Sequence, residues 1–139
     1  MQALYTATAT ATGGRQGRIR SSDGVLDLSL ALPKELGGPG GAATNPEQLF
    51  AAGYAACFEN ALLRVARERK APIRESQVTA HVGIGREEDG YFRLAVALEV
   101  SVPGRDRAEV EEMARTAHEE VCPYSRATRG NIEVDLKVV

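Results

Sequence analysis

Asn45-Pro46-Glu47-Gln48-Leu49-Phe50-Ala51-Ala52-Gly53-Tyr54-Ala55-Ala56-Cys57-Phe58 opens the longest helical pattern in the chain and is its most apolar stretch. Asn45 has the chemistry of a helix N-cap, Pro46 suits the first helical position, and Gln48 falls at the capping-box position. The pattern predicts a helix to about Lys70, where Ala71-Pro72 ends it. Its first half is apolar on every face, which predicts burial on all sides. Its second half, with Arg64, Arg67, Glu68, Arg69 and Lys70, turns to solvent. Ala52, Gly53, Ala55 and Ala56 are small enough for another backbone to approach closely.

Upstream of this helix the pattern changes to period two. Ala3 to Thr12 alternates Ala and Thr, with Leu4 and Tyr5 at its start, Arg15 to Ser22 follows the turn Gly13-Gly14, and Val25 to Leu30 follows Ser22-Asp23-Gly24. Three short strands joined by tight turns predict an antiparallel meander. Pro33 to Ala43, centred on Gly37-Gly38-Pro39-Gly40-Gly41, is a loop. Downstream, Gln77 to Gly85 and Tyr91 to Val102 predict strands around Glu87-Glu88-Asp89-Gly90. Asp106 to Val121 predicts a second helix with Val110, Met113, Ala114, Ala117 and Val121 as its apolar stripe, and Ile132 to Val138 a last strand. The expected class is α+β, in the order β-β-β-α-β-β-α-β. Pairing should be mostly antiparallel around a long buried central helix, in a single domain over residues 1–139.

The composition excludes several function classes. Formal net charge is −2 and there is no long basic run, so no nucleic-acid partner is expected. The stretch from Leu49 to Phe58 is too short to span a bilayer, so no membrane partner is expected either. Met1-Gln2-Ala3-Leu4-Tyr5-Thr6 lacks the charged and apolar regions of a secretory signal, which makes the cytoplasm the expected location. There a structural disulfide is disfavoured, and the chain's two cysteines are free, metal-bound or redox-active.

Cys57 sits about three turns into the apolar helix, beyond the reach of the helix N-terminus. Apolar burial raises a thiol pKa and leaves it inert. The bland reading is a small core residue; the reactive one needs a cation, with Arg15, Arg18, Arg20, Arg126 and Arg129 as candidates. Cys122 lies at the expected end of the second helix, where Pro123 stops continuation, and is either a helix-end residue or a thiol partner for Cys57. His118 and Cys122 are at i and i+4, so a metal site with Cys57 as third ligand is a further alternative, although no CxxC is present. Glu47 is adequately explained as an acid in the first helical turn. Gly83-Ile84-Gly85 is a strand end and not a phosphate loop, since no helix follows it.

Three segments together carry a resemblance. They are Ala7-Thr8-Ala9-Thr10-Ala11-Thr12-Gly13-Gly14-Arg15, then Ala43 to Phe58, then Cys122-Pro123-Tyr124-Ser125-Arg126-Ala127-Thr128-Arg129-Gly130-Asn131. The chain resembles the organic hydroperoxide resistance proteins, Ohr, within the Ohr/OsmC family, over essentially its whole length. The resemblance implies a thiol peroxidase that reduces organic hydroperoxides, fatty-acid ones included, to alcohols. It implies Cys57 as the peroxidatic and Cys122 as the resolving cysteine, with Arg15 and Glu47 completing the catalytic set. It also implies a lipoylated protein or dihydrolipoamide as reductant, an intertwined homodimer, and no metal or other cofactor. Under it, Arg15 is the cation that a mid-helix thiolate needs, and Glu47 should orient it by a bidentate pair.

Glu47 and Cys57 lie about 15 Å apart along one helix, too far for a single guanidinium to touch both, so the Glu47 that serves a given Cys57 is expected from the other subunit. Leu49, Phe50, Tyr54, Phe58 and the Gly-rich loop are candidate linings of an apolar substrate site; simple core packing competes for each. Other readings are an OsmC-type peroxidase of broader preference, a redox-sensing or binding module that uses the same thiols, and the metal-binding protein above.

Overall fold

The computed structural model describes residues Met1–Val139, which form two compact units, Met1–Leu49 and Phe50–Val139. In the first unit β1 (Ala9–Thr12), β2 (Arg18–Ser21) and β3 (Asp27–Ser29) make an antiparallel sheet in the order β1-β2-β3. The meander is as expected, but the strands are shorter. Residues 3–8 are not strand, and the stretch after Gly13 is a 3₁₀ turn, Gly14–Gln16, before β2 starts. The Gly-rich loop returns alongside β3: Ala31 donates to the Thr44 carbonyl and Thr44 to the Ser29 carbonyl. That return sets Asn45 at the head of α1 (Pro46–Glu68).

The helix start forms as the sequence dictates, with one change. Asn45 Oδ1 accepts from the Gln48 backbone N–H at 2.9 Å. Gln48 does not reach back to the cap backbone; its Oε1 accepts from the Thr44 hydroxyl at 3.0 Å. At the other end Lys70 adopts φ 58°, and Ala71 N–H bonds the Ala66 carbonyl while Lys70 N–H bonds that of Arg67. This is a Schellman closure with lysine where glycine is usual. Pro72 then prevents further winding.

In the second unit β4 (Gln77–Arg86) and β5 (Phe92–Ser101) pair antiparallel, and β6 (Val134–Val138) joins β5 in parallel. α1 packs Tyr54, Phe58, Ala61, Leu62, Val65 and Ala66 into one core with Val96, Leu98 and Val100 of β5. Val110, Met113 and Ala114 of α2 (Arg107–Thr116) close that core. α2 starts at Asp106, whose Oδ1 accepts from Glu109 N–H at 3.0 Å. Burying each large side chain here stabilises by about 1.5–3 kcal/mol.

Two expectations need correction. The first half of α1 is not buried on all sides, because Ala52 and Ala56 are exposed and only Tyr54 and Phe58 are fully inside there. Small side chains give the fold little apolar surface to bury, so its own core forms on the larger residues of the other face. The second helix does not run evenly to Val121 either. It widens into a π turn, Ala117–Val121, closed by Cys122 N–H to the Ala117 carbonyl at 2.8 Å. A third helix, α3 (Pro123–Thr128), follows, with Pro123 at its start. The observed order is therefore β-β-β-α-β-β-α-α-β, still α+β, and β6 starts two residues later than its alternation suggested.

Lys70 at φ 58° carries the strain of an L-residue in the left-handed region. Lys70→Gly should raise unfolding stability by about 0.5–1 kcal/mol, read from urea denaturation, because glycine takes that conformation without a Cβ clash.

Candidate active site

Two side-chain groups stand out. In the first unit, Arg15 is carried on the 3₁₀ turn Gly14–Gln16, entered through Gly13 and Gly14, both at positive φ. The turn closes against Gly17, where a Cβ would overlap the Thr12 carbonyl oxygen. Glycine at this position lets the backbone fold back tightly, so the guanidinium stands over the first turn of α1. There Arg15 Nη1 donates to Glu47 Oε2 at 2.8 Å and Nη2 to Oε1 at 2.7 Å. This is the bidentate fork geometry that arginine favours with carboxylates. The Glu47 side chain is only 12% exposed and that of Arg15 38%. Arg15 holds the Glu47 carboxyl below its ordinary value by hydrogen bonding, and Glu47 in turn raises the guanidinium further.

In the second unit, both cysteines are free and adjacent: the Cys122 thiol donates to Cys57 Sγ at 3.8 Å. Cys57 is half-buried on α1, whereas Cys122 is 1% exposed at the junction of the π turn and α3. Its extended conformation (φ −70°, ψ 118°) is what a residue before proline prefers, so Cys122-Pro123 both ends one helix and starts the next. Burial pushes the Cys57 thiol up, a backbone N–H of Tyr124 pulls it down, and the Cys122 thiol pushes it up again. No cation is among the groups that move it.

An aromatic set borders the pair. Phe50 meets Tyr54 edge-on at 6.0 Å between ring centroids, and Tyr124 lies 5.8 Å from Tyr54 and 6.3 Å from Phe50. Tyr124 rests on Gly53, where a Cβ would press its hydroxyl at 3.1 Å. Of the candidate pocket residues, Leu49 and Phe50 are half-buried, while Tyr54 and Phe58 are core residues with 0% exposure. Tyr124, 41% exposed and beside Cys57, is a further aromatic wall that sequence reading left out.

His118 directs Nδ1 to the Ser125 hydroxyl at 2.9 Å, and no three His, Cys, Asp or Glu side chains converge as a metal cluster. Of the other candidate cations, Arg18 pairs with Asp27 at 2.6 Å, and Arg129 Nη2 donates to the carbonyls of His118 and Glu119 at 2.8 and 2.6 Å. No helix is long and apolar enough to cross a membrane.

The family model for OsmC-like protein matches residues 38–137. An organic hydroperoxide resistance protein of Xanthomonas axonopodis pv. citri is 56% identical over 134 residues, covering 96% of this chain and 93% of its own. Among solved structures, an organic hydroperoxide resistance protein of Legionella pneumophila superposes with a TM-score of 0.92 at 50% identity, covering 99% of this chain and 98% of that one. OhrB of Bacillus subtilis gives a TM-score of 0.90 at 47% identity, covering 99% and 100%.

Two outcomes follow from the Arg15–Glu47 geometry. Gly17→Ala should dislodge the turn and, with it, the ion pair, visible as loss of the Arg15 guanidinium contact in a crystal structure. The pH dependence has a fixed sign. The folded Glu47 carboxyl lies below its ordinary value of 4.5, so its contribution to stability is complete above that pH and is lost as pH falls through the depressed value. The melting-temperature gap between the wild type and Glu47→Gln should therefore be present at neutral pH and shrink on acidification below about 4.

Proposed function

Because the chain belongs to the OsmC-like family, among its organic hydroperoxide resistance proteins, we propose that it is a cytoplasmic thiol peroxidase that reduces organic hydroperoxides to alcohols. The observation that carries this reading is the contact of two free thiols at 3.8 Å, one half-buried and one sealed in the core. The Cys57 thiolate attacks the distal peroxide oxygen; the O–O bond breaks, the alcohol leaves with a proton, and Cys57 becomes a sulfenic acid. The Cys122 sulfur then attacks Cys57, forming the disulfide and releasing water. A dihydrolipoyl dithiol, free or on a lipoylated protein, restores both thiols by exchange and leaves as its own disulfide. No metal or organic cofactor is needed for these steps.

The thiolate needs a positive charge that burial does not provide. Arg15 is the cation, and Glu47 fixes its fork. Since Arg15 pairs with the Glu47 of its own chain, the two travel together. Glu47 and Cys57 are separated by about 15 Å of rise along α1, so the pair that serves Cys57 comes from a second subunit of a homodimer. The exposed small face of α1 at Ala52 and Ala56 suits the approach of another helix. Substrate is held by the aromatic border: Phe50 and Tyr124 as accessible walls, with Tyr54 and Phe58 behind. The carbon chain of fatty-acid hydroperoxides matches a wall of this chemistry.

The test is consumption of tert-butyl hydroperoxide with a lipoyl dithiol. Cys57→Ser should abolish it, and equal activity would remove Cys57 from the mechanism. Cys122→Ser should complete one turnover and then stall until an external thiol is added. For the shared site, Cys57→Ser and Arg15→Ala chains, each inactive alone, are refolded together. If Arg15 acts across the dimer, the mixture should recover about a quarter of wild-type activity, since half of the dimers then hold one complete site of two. No recovery would place Arg15 on the same chain as the Cys57 it serves.

A further inference from the structure

The hydroxyls of Ser125, Thr128 and Tyr54 and the half-buried His118 ring form a set of polar groups near Cys122 whose hydrogen bonds have no part in the chemistry above. His118 Nδ1 meets Ser125 Oγ at 2.9 Å; Ser125 Oγ meets the Tyr54 hydroxyl at 3.0 Å; that hydroxyl meets Thr128 Oγ1 at 3.3 Å. Ser125 and Tyr54 have 0% exposure and Thr128 4%, within a core otherwise built of aliphatic and aromatic groups. No buried side-chain polar atom is left without a partner. Valine, alanine and phenylalanine would fill these positions without any polar group to satisfy, so packing alone does not account for them. A fully bonded set of this kind fixes one geometry.

Its location says which geometry. His118 and Ser125 bracket Cys122 from the two sides of the break between the π turn and α3. At that break Cys122 N–H bonds the Ala117 carbonyl and Arg126 N–H bonds the Cys122 carbonyl. Arg129 adds a second tie, from the end of α3 back to the carbonyls of His118 and Glu119. Tyr54 connects the bracket to α1, the helix that carries Cys57. Local π turns inside helices concentrate at functional positions because they re-aim side chains.

We propose that His118 and Ser125 clamp the chain across Cys122 and, anchored on α1 through Tyr54, act as positioning residues that keep the resolving sulfur at closing distance from Cys57. The proposal rests on the reading of Cys57 and Cys122 as a redox pair. The sulfurs are at 3.8 Å, so a bond of about 2.05 Å needs a movement of less than about 2 Å. In that step the S–O bond of the Cys57 sulfenic acid breaks, the S–S bond forms, and the Cys122 proton leaves with the oxygen as water. The two sulfurs already share one chain; the clamp holds the encounter aligned, which sets both the rate of closure and the stability of the disulfide against an external dithiol.

Two measurements on the full-length protein test it. The first is the equilibrium of the Cys57–Cys122 pair with reduced and oxidised dithiothreitol, which involves no peroxide. The second is the rate at which tert-butyl hydroperoxide forms Cys57 sulfenic acid, trapped with dimedone, compared with the rate of disulfide closure. Ser125→Ala and His118→Leu should each move the equilibrium about tenfold toward the dithiol and slow closure about as much, with sulfenic acid formation within twofold of wild type. His118→Asn, whose side-chain amide reaches close to the Nδ1 position, should recover most of the loss. Tyr54→Phe keeps the core ring and should show a smaller loss in the same direction. An unchanged dithiothreitol equilibrium in Ser125→Ala and Tyr54→Phe, or His118→Asn as impaired as His118→Leu, overturns the clamp. A wild type that consumed no hydroperoxide yet showed the expected order against dithiothreitol would remove the peroxidase reading and leave the clamp standing.

Discussion

Burial of the Cys57 thiol is the constraint from which the rest of the site follows. A thiolate in apolar surroundings lacks the water that would stabilise its charge, and burial is the largest influence on this one. One backbone N–H, from Tyr124, works against it, and the neighbouring Cys122 thiol does not help. A reactive thiolate at this position therefore needs a positive charge that none of the groups acting on Cys57 supplies. The Arg15–Glu47 pair has the properties of such a device. Glu47 is nearly covered and held ionised, so it fixes the guanidinium instead of competing for a proton. The fork uses one donor from each terminal nitrogen. Of the five donors on an arginine, about three remain for a thiolate or a peroxide oxygen.

The two sulfurs divide the work by exposure. Cys57 is half-buried and open to a small molecule from solvent, whereas Cys122 is sealed at 1% exposure. A sealed thiol is shielded from direct contact with bulk peroxide, which agrees with the proposed order in which Cys57 is oxidised first. That order matters, because a resolving cysteine oxidised first would block the cycle. Cys122 sits at a helix break that is tied on both sides, by His118 to Ser125 and by Arg129 to the carbonyls of His118 and Glu119.

Local signals read well in the sequence. Asn45 caps α1, Asp106 caps α2, and the hairpin of β4 and β5 turns at Glu87 to Gly90, because each depends on residues a few positions apart. The pairing of Arg15 with Glu47 was reached only through the family resemblance; spacing alone does not join a glycine turn to a helix start 32 positions later. The π turn and α3 were not legible, since proline was read as an ending, while here it also begins a helix. Nor was the contact of Tyr54 with Ser125, 71 positions apart, because a hydroxyl on an aromatic core residue gives no periodic signal. The burial of α1 was misjudged for a related reason: an apolar run records what can be buried, not what the single chain has available to cover it.

That last mismatch and the missing charge at Cys57 have one common remedy. The strands β1 and β3 are exposed at every position, and Leu26 and Leu28 remain open to solvent. A three-stranded sheet needs a covered face to be stable in water. Ala52 and Ala56 of α1 are likewise exposed. A second copy, docked about a two-fold axis as in the proposed homodimer, would cover such surfaces reciprocally and carry an Arg15–Glu47 pair to each Cys57. Under the proposed homodimer, the surface that needs a cover and the thiol that needs a charge would be served by one docking event.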